Sequence, residues 1–385
     1  MGMNAGGLIA ALWLICTALA ILGSAYLVFA AILLGQLRAR VSPPLHSARG
    51  VTILKPLCGA EPDLEANLAS FCLQAYPGPV QIVFGVSEAA DPAAAVVRRL
   101  ITRFPDTDIE LVVGTRKYGA NQKISNLINM VSHSRHEVIV LSDSDINVDR
   151  AYLCRVVAAL DEPGVGIVTC LYRGTSDRGL WSHLAAMAIN QHFLPNVLVA
   201  LRLGLAKPCF GSTIALLRQT LDRIGGFGPF ANQLADDYAI GKVVRGLGLR
   251  AAVPPMIIDH FCSEQSWRGL VRHEVRWTRT IRLIDPVGHA GSIVTHPLPF
   301  ALAAAALNGL STIWLGIIAL VLVCRVLAPV QIGRMCGSGG GGSLWLTPFR
   351  DLLSFVIFLA SFLPGRVTWR GQRFKVRSDG TLTHT

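Results

Sequence analysis

Hydrophobic positions follow three different patterns along the chain. From Gly7 to Leu34, "GLIAALWLICTALAILGSAYLVFAAILL", 28 residues pass without a charge, more than the roughly 20 that a membrane-spanning helix needs. Between residues 51 and 290 the apolar runs are short: "VTILKPL" (51–57), "VQIVFGV" (80–86), "IELVVGT" (109–115), "VIVL" (138–141) and "GIVTCLY" (166–172). Stretches of helical period separate most of them, such as "PAAAVVRRLITRF" (92–104) and "QKISNLINMVSHS" (122–134). Continuous β-branched strands alternating with helices predict an α/β domain with a mainly parallel sheet flanked by helices. Ligands of such sheets sit beyond the carboxyl ends of the strands. From about residue 290 to 332 the chain is apolar again, broken by His296, Arg325 and several prolines. One tilted helix or two spans around Asn308-Gly309 fit this stretch, and two is the preferred reading. A last apolar stretch carries Arg350-Asp351 near its start and fits either a span or a helix lying in the membrane interface.

The expected segments are therefore a transmembrane anchor at 7–34, a catalytic α/β domain at 51–265 and an amphipathic interface helix at 266–289. A membrane region of one or two spans follows at 290–332. "GSGGGGS" at 337–343 is a flexible linker by composition, 344–364 is a membrane or interfacial helix, and 365–385 is a basic cytoplasmic tail.

Composition agrees with a membrane protein: 52% of residues are hydrophobic and 15% charged, against about 25% charged in soluble domains. A cleaved secretory signal would have a shorter apolar core, of about 7–15 residues, after a basic start. Arg38, Arg40 and Arg49 follow the apolar run and nothing basic precedes it, which puts the following region in the cytoplasm. In a bacterium the membrane would be the inner one. The nine cysteines form no C-x-x-C pair, so neither a zinc site nor a disulfide framework is expected, and a reducing compartment suits them. The net charge of +11 fits nucleic acid or anionic lipid. The anchor favours an anionic membrane surface, and no nucleic-acid partner is expected.

Three constellations carry candidate chemistry. In "VIVLSDSDINVD" (138–149) a strand runs into Asp143, Asp145 and Asp149. Asp is a common turn residue, so capping is one reading. Two carboxylates at this spacing also suit Mg2+ or Mn2+, which take one or two carboxylates plus phosphate oxygens. Asp236 and Asp237 open a helical stretch in "LADDYAIG". One reading is complementation of the helix dipole, although a single Asp would suffice for that. In "SWRGLVRHEVRWTRTIRL" (266–283), Arg268, Arg272, Arg276 and Arg279 form a basic stripe beside Trp267, Leu270, Trp277 and Ile281. Such a helix fits an anionic membrane surface, and an Arg on it also suits a diphosphate leaving group.

With these residues in view, the chain resembles the family 2-type glycosyltransferases of GT-A fold, and more closely the ceramide glucosyltransferase branch (family 21). The similar stretches include "VSEAADPA" (86–93), "NQKISNLI" (121–128), "LSDSDI" (141–146), "GSTIALLR" (211–218), "ADDYAIGKVVRGLG" (235–248), "VRWTR" (275–279) and "TWRGQRFKVR" (368–377). "HEVRWTRTIRLIDPVG" looks most like the bacterial hopanoid-biosynthesis-associated glycosyltransferases. The resemblance implies an inverting transfer of glucose or N-acetylglucosamine from a UDP-sugar to a membrane lipid acceptor of ceramide, phospholipid or hopanoid type. It implies Asp91 near the uridine, Lys123 as a nucleotide contact, Asp143 as the ligand of the metal on the diphosphate with Asp145 completing the pair, and Asp237 as general base. It further implies Arg276 and Trp277 at the donor, and Trp277, His192 and Asp236 at the acceptor. His273 stands where the family has Gln or Arg. A processive polysaccharide synthase of the same superfamily, a non-catalytic nucleotide-sugar sensor and a transporter are the competing classes. The small number of helices disfavours the synthase, the complete acidic set the sensor, and the α/β body the transporter.

Overall fold

The computed structural model describes residues 5–176, 179–336, 344–363, 367–369, 372–376 and 381–384. The linker expected at 337–343 lies outside the described residues. The chain begins with α1 (Ala5–Ala39), β1 (Val51–Pro56), α2 (Leu64–Cys72), β2 (Val80–Val86), α3 (Pro92–Arg103) and β3 (Asp108–Val113). It continues through α4 (Gln122–Val131), β4 (Val138–Leu141), β5 (Ile146–Asn147), α5 (Tyr152–Leu160), β6 (Val165–Val168) and β7 (Leu171–Thr175). Next come α6 (Gly179–Ala188), a π-helical turn at Ile189–Phe193, α7 (Leu194–Arg202), β8 (Ile214–Leu217), α8 (Arg218–Arg223) and α9 (Asp236–Gly246). Then follow β9 (Arg250–Ala252), β10 (Ile257–Phe261), α10 (Trp267–Ile284), α11 (Pro286–Gly291), α12 (Pro297–Asn308), α13 (Thr312–Met335) and α14 (Thr347–Ser361). Strands β11 (Val367–Trp369), β12 (Gln372–Val376) and β13 (Leu382–His384) end the chain.

Two compact units result. An α/β unit comprises residues 40–176, 206–263 and 366–385, and a helical unit comprises 1–39, 177–205 and 264–365. The α/β body is thus discontinuous, where the sequence pattern suggested an unbroken 51–265. The intervening segment Gly179–Arg202 is itself long and apolar enough to cross a membrane. It carries no charge before Arg202, but His183, Asn190, Gln191 and His192 lower its mean hydropathy to 1.4, against 2.3 for Gly6–Ala39.

The α/β unit holds a seven-stranded sheet of order β3-β2-β1-β4-β8-β6-β9. Strands β1 to β4 are parallel, as the βα alternation requires. Strand β8 runs antiparallel to both β4 and β6, so the sheet is mixed. Buried Leu54, Val83, Ile139 and Ile214 pack with Leu127 of α4 and Ile240 and Val244 of α9 in one core. A smaller sheet of order β5-β10-β7 stands at the same end as the β4 exit, because Phe261 N–H donates to the Asp145 carbonyl at 2.8 Å. The terminal strands form a third sheet, β11-β12-β13. An isolated bridge joins Thr381 to Gln233.

In the helical unit, Gly6–Ala39, Thr312–Met335 and Leu344–Ser361 are also long and apolar enough to cross a membrane. The helices Pro286–Thr295 and Pro297–Asn308 form a pair bent by 59°. Gly309, at φ 82°, breaks the chain between α12 and α13, and Ser311 caps α13 through the Trp314 N–H. Ala20 of α1 packs with Leu298, Ala301 and Val321, while Leu14, Ile21 and Leu22 face outward.

Candidate functional site

Strand register explains the arrangement of the acidic residues. Leu141, the last residue of β4, pairs with Leu54 of β1 on one side and Ile214 of β8 on the other. The residues that follow Leu141, follow Leu54 and precede Ile214 therefore meet at one end of the sheet. These are Ser142-Asp143, Lys55 and Gly211–Thr213. The Asp143 N–H donates to the Gly211 carbonyl at 3.3 Å, and fully buried Lys55 donates to the Asp143 carbonyl at 2.5 Å. Its ammonium also lies 3.8 Å from the centre of the Phe71 ring. Burial lowers the Lys55 pKa to about 7, against the opposing pull of Asp145 and Asp143.

The second acidic pair arrives through α9 and α4. The Gly211 N–H donates to Asp237 Oδ2 at 3.0 Å, and the Tyr238 N–H donates to Asp237 Oδ1 at 2.7 Å. Asp236 is buried and accepts from Asn121 Nδ2 at 3.2 Å. Asn121 also caps α4 through the Ile124 N–H, which fixes Lys123 one residue inside that helix. Lys123 Nζ lies 2.6 Å from Asp143 Oδ1 and 3.5 Å from Asp236 Oδ2, joining the two pairs. Burial works to lower the Lys123 pKa, but the charges of Asp143 and Asp236 outweigh it and hold the ammonium protonated. Burial and the neighbouring Asp236 charge raise the Asp237 pKa to about 6.

Asp145 is differently placed. Its Oδ2 lies 3.6 Å from His260 Nδ1, and its Oδ1 is buried without a hydrogen-bond partner. Burial raises its pKa, with His260 opposing. An orphaned carboxylate oxygen beside a second carboxylate suits a hard divalent cation. Asp149 belongs to another job: its Oδ1 accepts from the Ala151 N–H at 2.9 Å at the start of α5. Asp91 does not join the cluster's hydrogen bonds. It caps α3 through the Ala93 N–H and accepts from the Gly59 N–H, both at 2.9 Å.

The remaining sequence candidates lie in the helical unit. Trp277 stacks on Phe193, with ring centres 5.6 Å apart, and Arg276 is half-buried on the same helix. Of the expected apolar stripe, Leu270 is fully buried whereas Trp267 and Ile281 are exposed. His273 meets Glu264 at 2.6 Å. His192 sits in the π-helical turn, stacked on His296 and 3.3 Å from Asp351 Oδ1. Pro195 has no N–H to give the Gln191 carbonyl, which instead accepts from Arg325 at 3.1 Å. His192, His296 and Asp351 offer ligand atoms within 4.8 Å of one another. Arg325 already pairs with Asp351 at 2.5 Å, so the carboxylate has its cation without a metal.

Lys55, Gly211, Asn121 and His260 were not singled out as site residues from the sequence. Lys55 alone carried a signal, a charge inside the otherwise apolar run "VTILKPL".

The family model described as Glycosyl transferase family 21 matches residues 15–382. Ceramide glucosyltransferase 1 of Caenorhabditis elegans is 23% identical over 347 residues, 86% of this chain and 73% of the relative. The Candida albicans ceramide glucosyltransferase is 30% identical over 108 residues, 25% of this chain and 20% of the relative. Among solved structures, the mannosyltransferase PcManGT from Pyrobaculum calidifontis, in complex with GDP-Man and Mn2+, aligns with a TM-score of 0.53 at 20% identity, covering 90% of this chain and 99% of that one. The fold is GT-A-like, and the chain belongs to glycosyl transferase family 21.

Proposed function

We propose that the protein is a membrane-bound, inverting hexosyltransferase that moves glucose or N-acetylglucosamine from a UDP-sugar to a membrane lipid. The observation that carries this reading is the meeting of Asp143, Asp145, Asp236 and Asp237 around Lys123 at the carboxyl end of the sheet. Named relatives are ceramide glucosyltransferases, which supports a lipid acceptor of ceramide, phospholipid or hopanoid type. Arg38, Arg40 and Arg49 favour a cytoplasmic face for the α/β unit.

Asp143 and Asp145 would hold Mg2+ or Mn2+, and the PcManGT complex contains Mn2+. When bound, such an ion supplies Lewis-acid stabilisation of the leaving diphosphate. Asp237, raised to about 6, accepts the proton of the acceptor hydroxyl, whose oxygen attacks the anomeric carbon from the face opposite UDP. One displacement inverts the configuration. A base of this kind contributes about 10²–10⁴-fold, so Asp237→Asn is expected to lose that much transfer while still binding UDP. Asp91 as a uridine contact, Arg276 as a cation for the diphosphate, and His192 and Trp277 as acceptor contacts complete the proposal.

The test is mass spectrometry of lipids after purified protein is offered several UDP-sugars and mixed membrane lipids. One added hexose or N-acetylhexosamine on a lipid, absent with Asp237→Asn, is the expected product. Long polymer would instead identify a processive synthase, and no product with any donor would refute the proposal.

A further inference from the structure

We infer that Lys123 is a built-in cation that holds the Asp143 carboxylate while the donor site is empty, and that a nucleotide diphosphate must draw it away before a divalent ion can bind. The inference rests on the reading of Asp143 as the cation ligand of a nucleotide-sugar transferase.

The geometry is specific to one oxygen. Lys123 Nζ lies 2.6 Å from Asp143 Oδ1 and reaches Asp236 Oδ2 at 3.5 Å, with its side chain 15% exposed. A carboxylate oxygen bound to Mg2+ at 2.0–2.1 Å cannot keep an ammonium at hydrogen-bond distance on the same side without strong repulsion between the two cations. Lys55 is the control within the same site. More deeply buried, it donates to the backbone carbonyl of Asp143 and to Ser142 Oγ, and leaves the carboxylate untouched. The backbone also makes room for Lys123. A Cβ on Gly211 would stand 2.6 Å from Asp143 Oδ2 and 3.2 Å from Lys123 Nζ, so a side chain there would press on both members of the pair.

Lys123 carries a flexible four-carbon stem and a compact charge. The diphosphate offers it new acceptors, so the exchange conserves charge: the ammonium leaves a carboxylate for a phosphate, and the metal takes the carboxylate. The nucleotide therefore opens the way for the metal, and the nucleotide-free protein binds metal weakly.

The test uses the full-length protein in detergent and the loss of the free Mn2+ electron paramagnetic resonance signal. Without nucleotide, Lys123→Met is expected to bind Mn2+ at least about tenfold more tightly than the unaltered protein, as removal of a unit charge a few ångström away requires. Lys123→Arg should remain near the unaltered protein. With UDP present the order should reverse, Lys123→Met holding UDP more weakly. Lys123→Gln, which keeps a hydrogen-bond donor, serves as a second neutral variant if the Met protein fails to fold. Mn2+ binding by the unaltered protein that the neutral variants leave unchanged or weaken would overturn the inference alone. No Mn2+ binding by any protein, with or without UDP, would refute the metal role of Asp143 and the inference with it.

Discussion

Gly211 joins the two acidic pairs through its backbone, giving its N–H to Asp237 and its carbonyl to the Asp143 N–H. Gly211→Ala would place a methyl 2.6 Å from Asp143 Oδ2, a contact that forces the carboxylate to move. The expected result is UDP-sugar binding weakened by at least about tenfold, since a displaced ligand group forfeits its positioning. Binding titration checks this, and unchanged affinity would count against the assignment. Asp237 sets a pH dependence with a definite sign. The base works deprotonated, and burial together with Asp236 raises its pKa to about 6. Transfer should therefore be lost as pH falls through about 6 and level off above it. Asp236→Asn removes the like charge, so the surviving activity should show its acid limb at lower pH. A limb that stays in place would show that another group titrates.

At the scale of elements, α14 carries two buried charges of opposite sign into an apolar helix. Arg350 meets Glu274 of α10 through two hydrogen bonds, 2.8 and 2.6 Å, and Asp351 meets Arg325 of α13. Removing one partner strands the other in a low-dielectric interior, at a cost of about 3–5 kcal/mol. Arg350→Met should lower the thermal unfolding midpoint in detergent markedly, and adding Glu274→Leu should recover most of the loss. A double variant no better than the single one would argue against the pair. The sequence showed "RD" in an apolar stretch but not its partners, because Glu274 and Arg325 are joined to it only by folding. By contrast, the apolar runs of β1, β2, β3 and β4 and the periodic helices between them were readable, since period and β-branching are local properties. The direction of β8 was not readable, because an apolar run carries no polarity. Asp143 and Asp237 could be singled out at a strand exit and a helix start, whereas Lys55 and Asn121 became site residues only through strand register and helix capping.

At the scale of the whole molecule, several helices besides α1 are long and apolar enough to span a bilayer. A variant lacking residues 1–39 is thus expected to remain with carbonate-washed membranes, and its appearance in the soluble fraction would show that α1 is the sole anchor. The discontinuity of the α/β unit has a further consequence, in the order of synthesis. Strands β1 to β4 and β6 leave the ribosome before the apolar segment Gly179–Arg202, and β8 leaves after it. Yet β8 lies between β4 and β6 in the finished sheet. Until it arrives, β4 and β6 each present an unpaired edge, the kind of surface that recruits foreign strands. Gly211, directly upstream of β8, arrives with it and brings the contacts to Asp143 and Asp237. The nascent chain therefore has to make a segment apolar enough to cross a membrane before it can close either its central sheet or its acidic site.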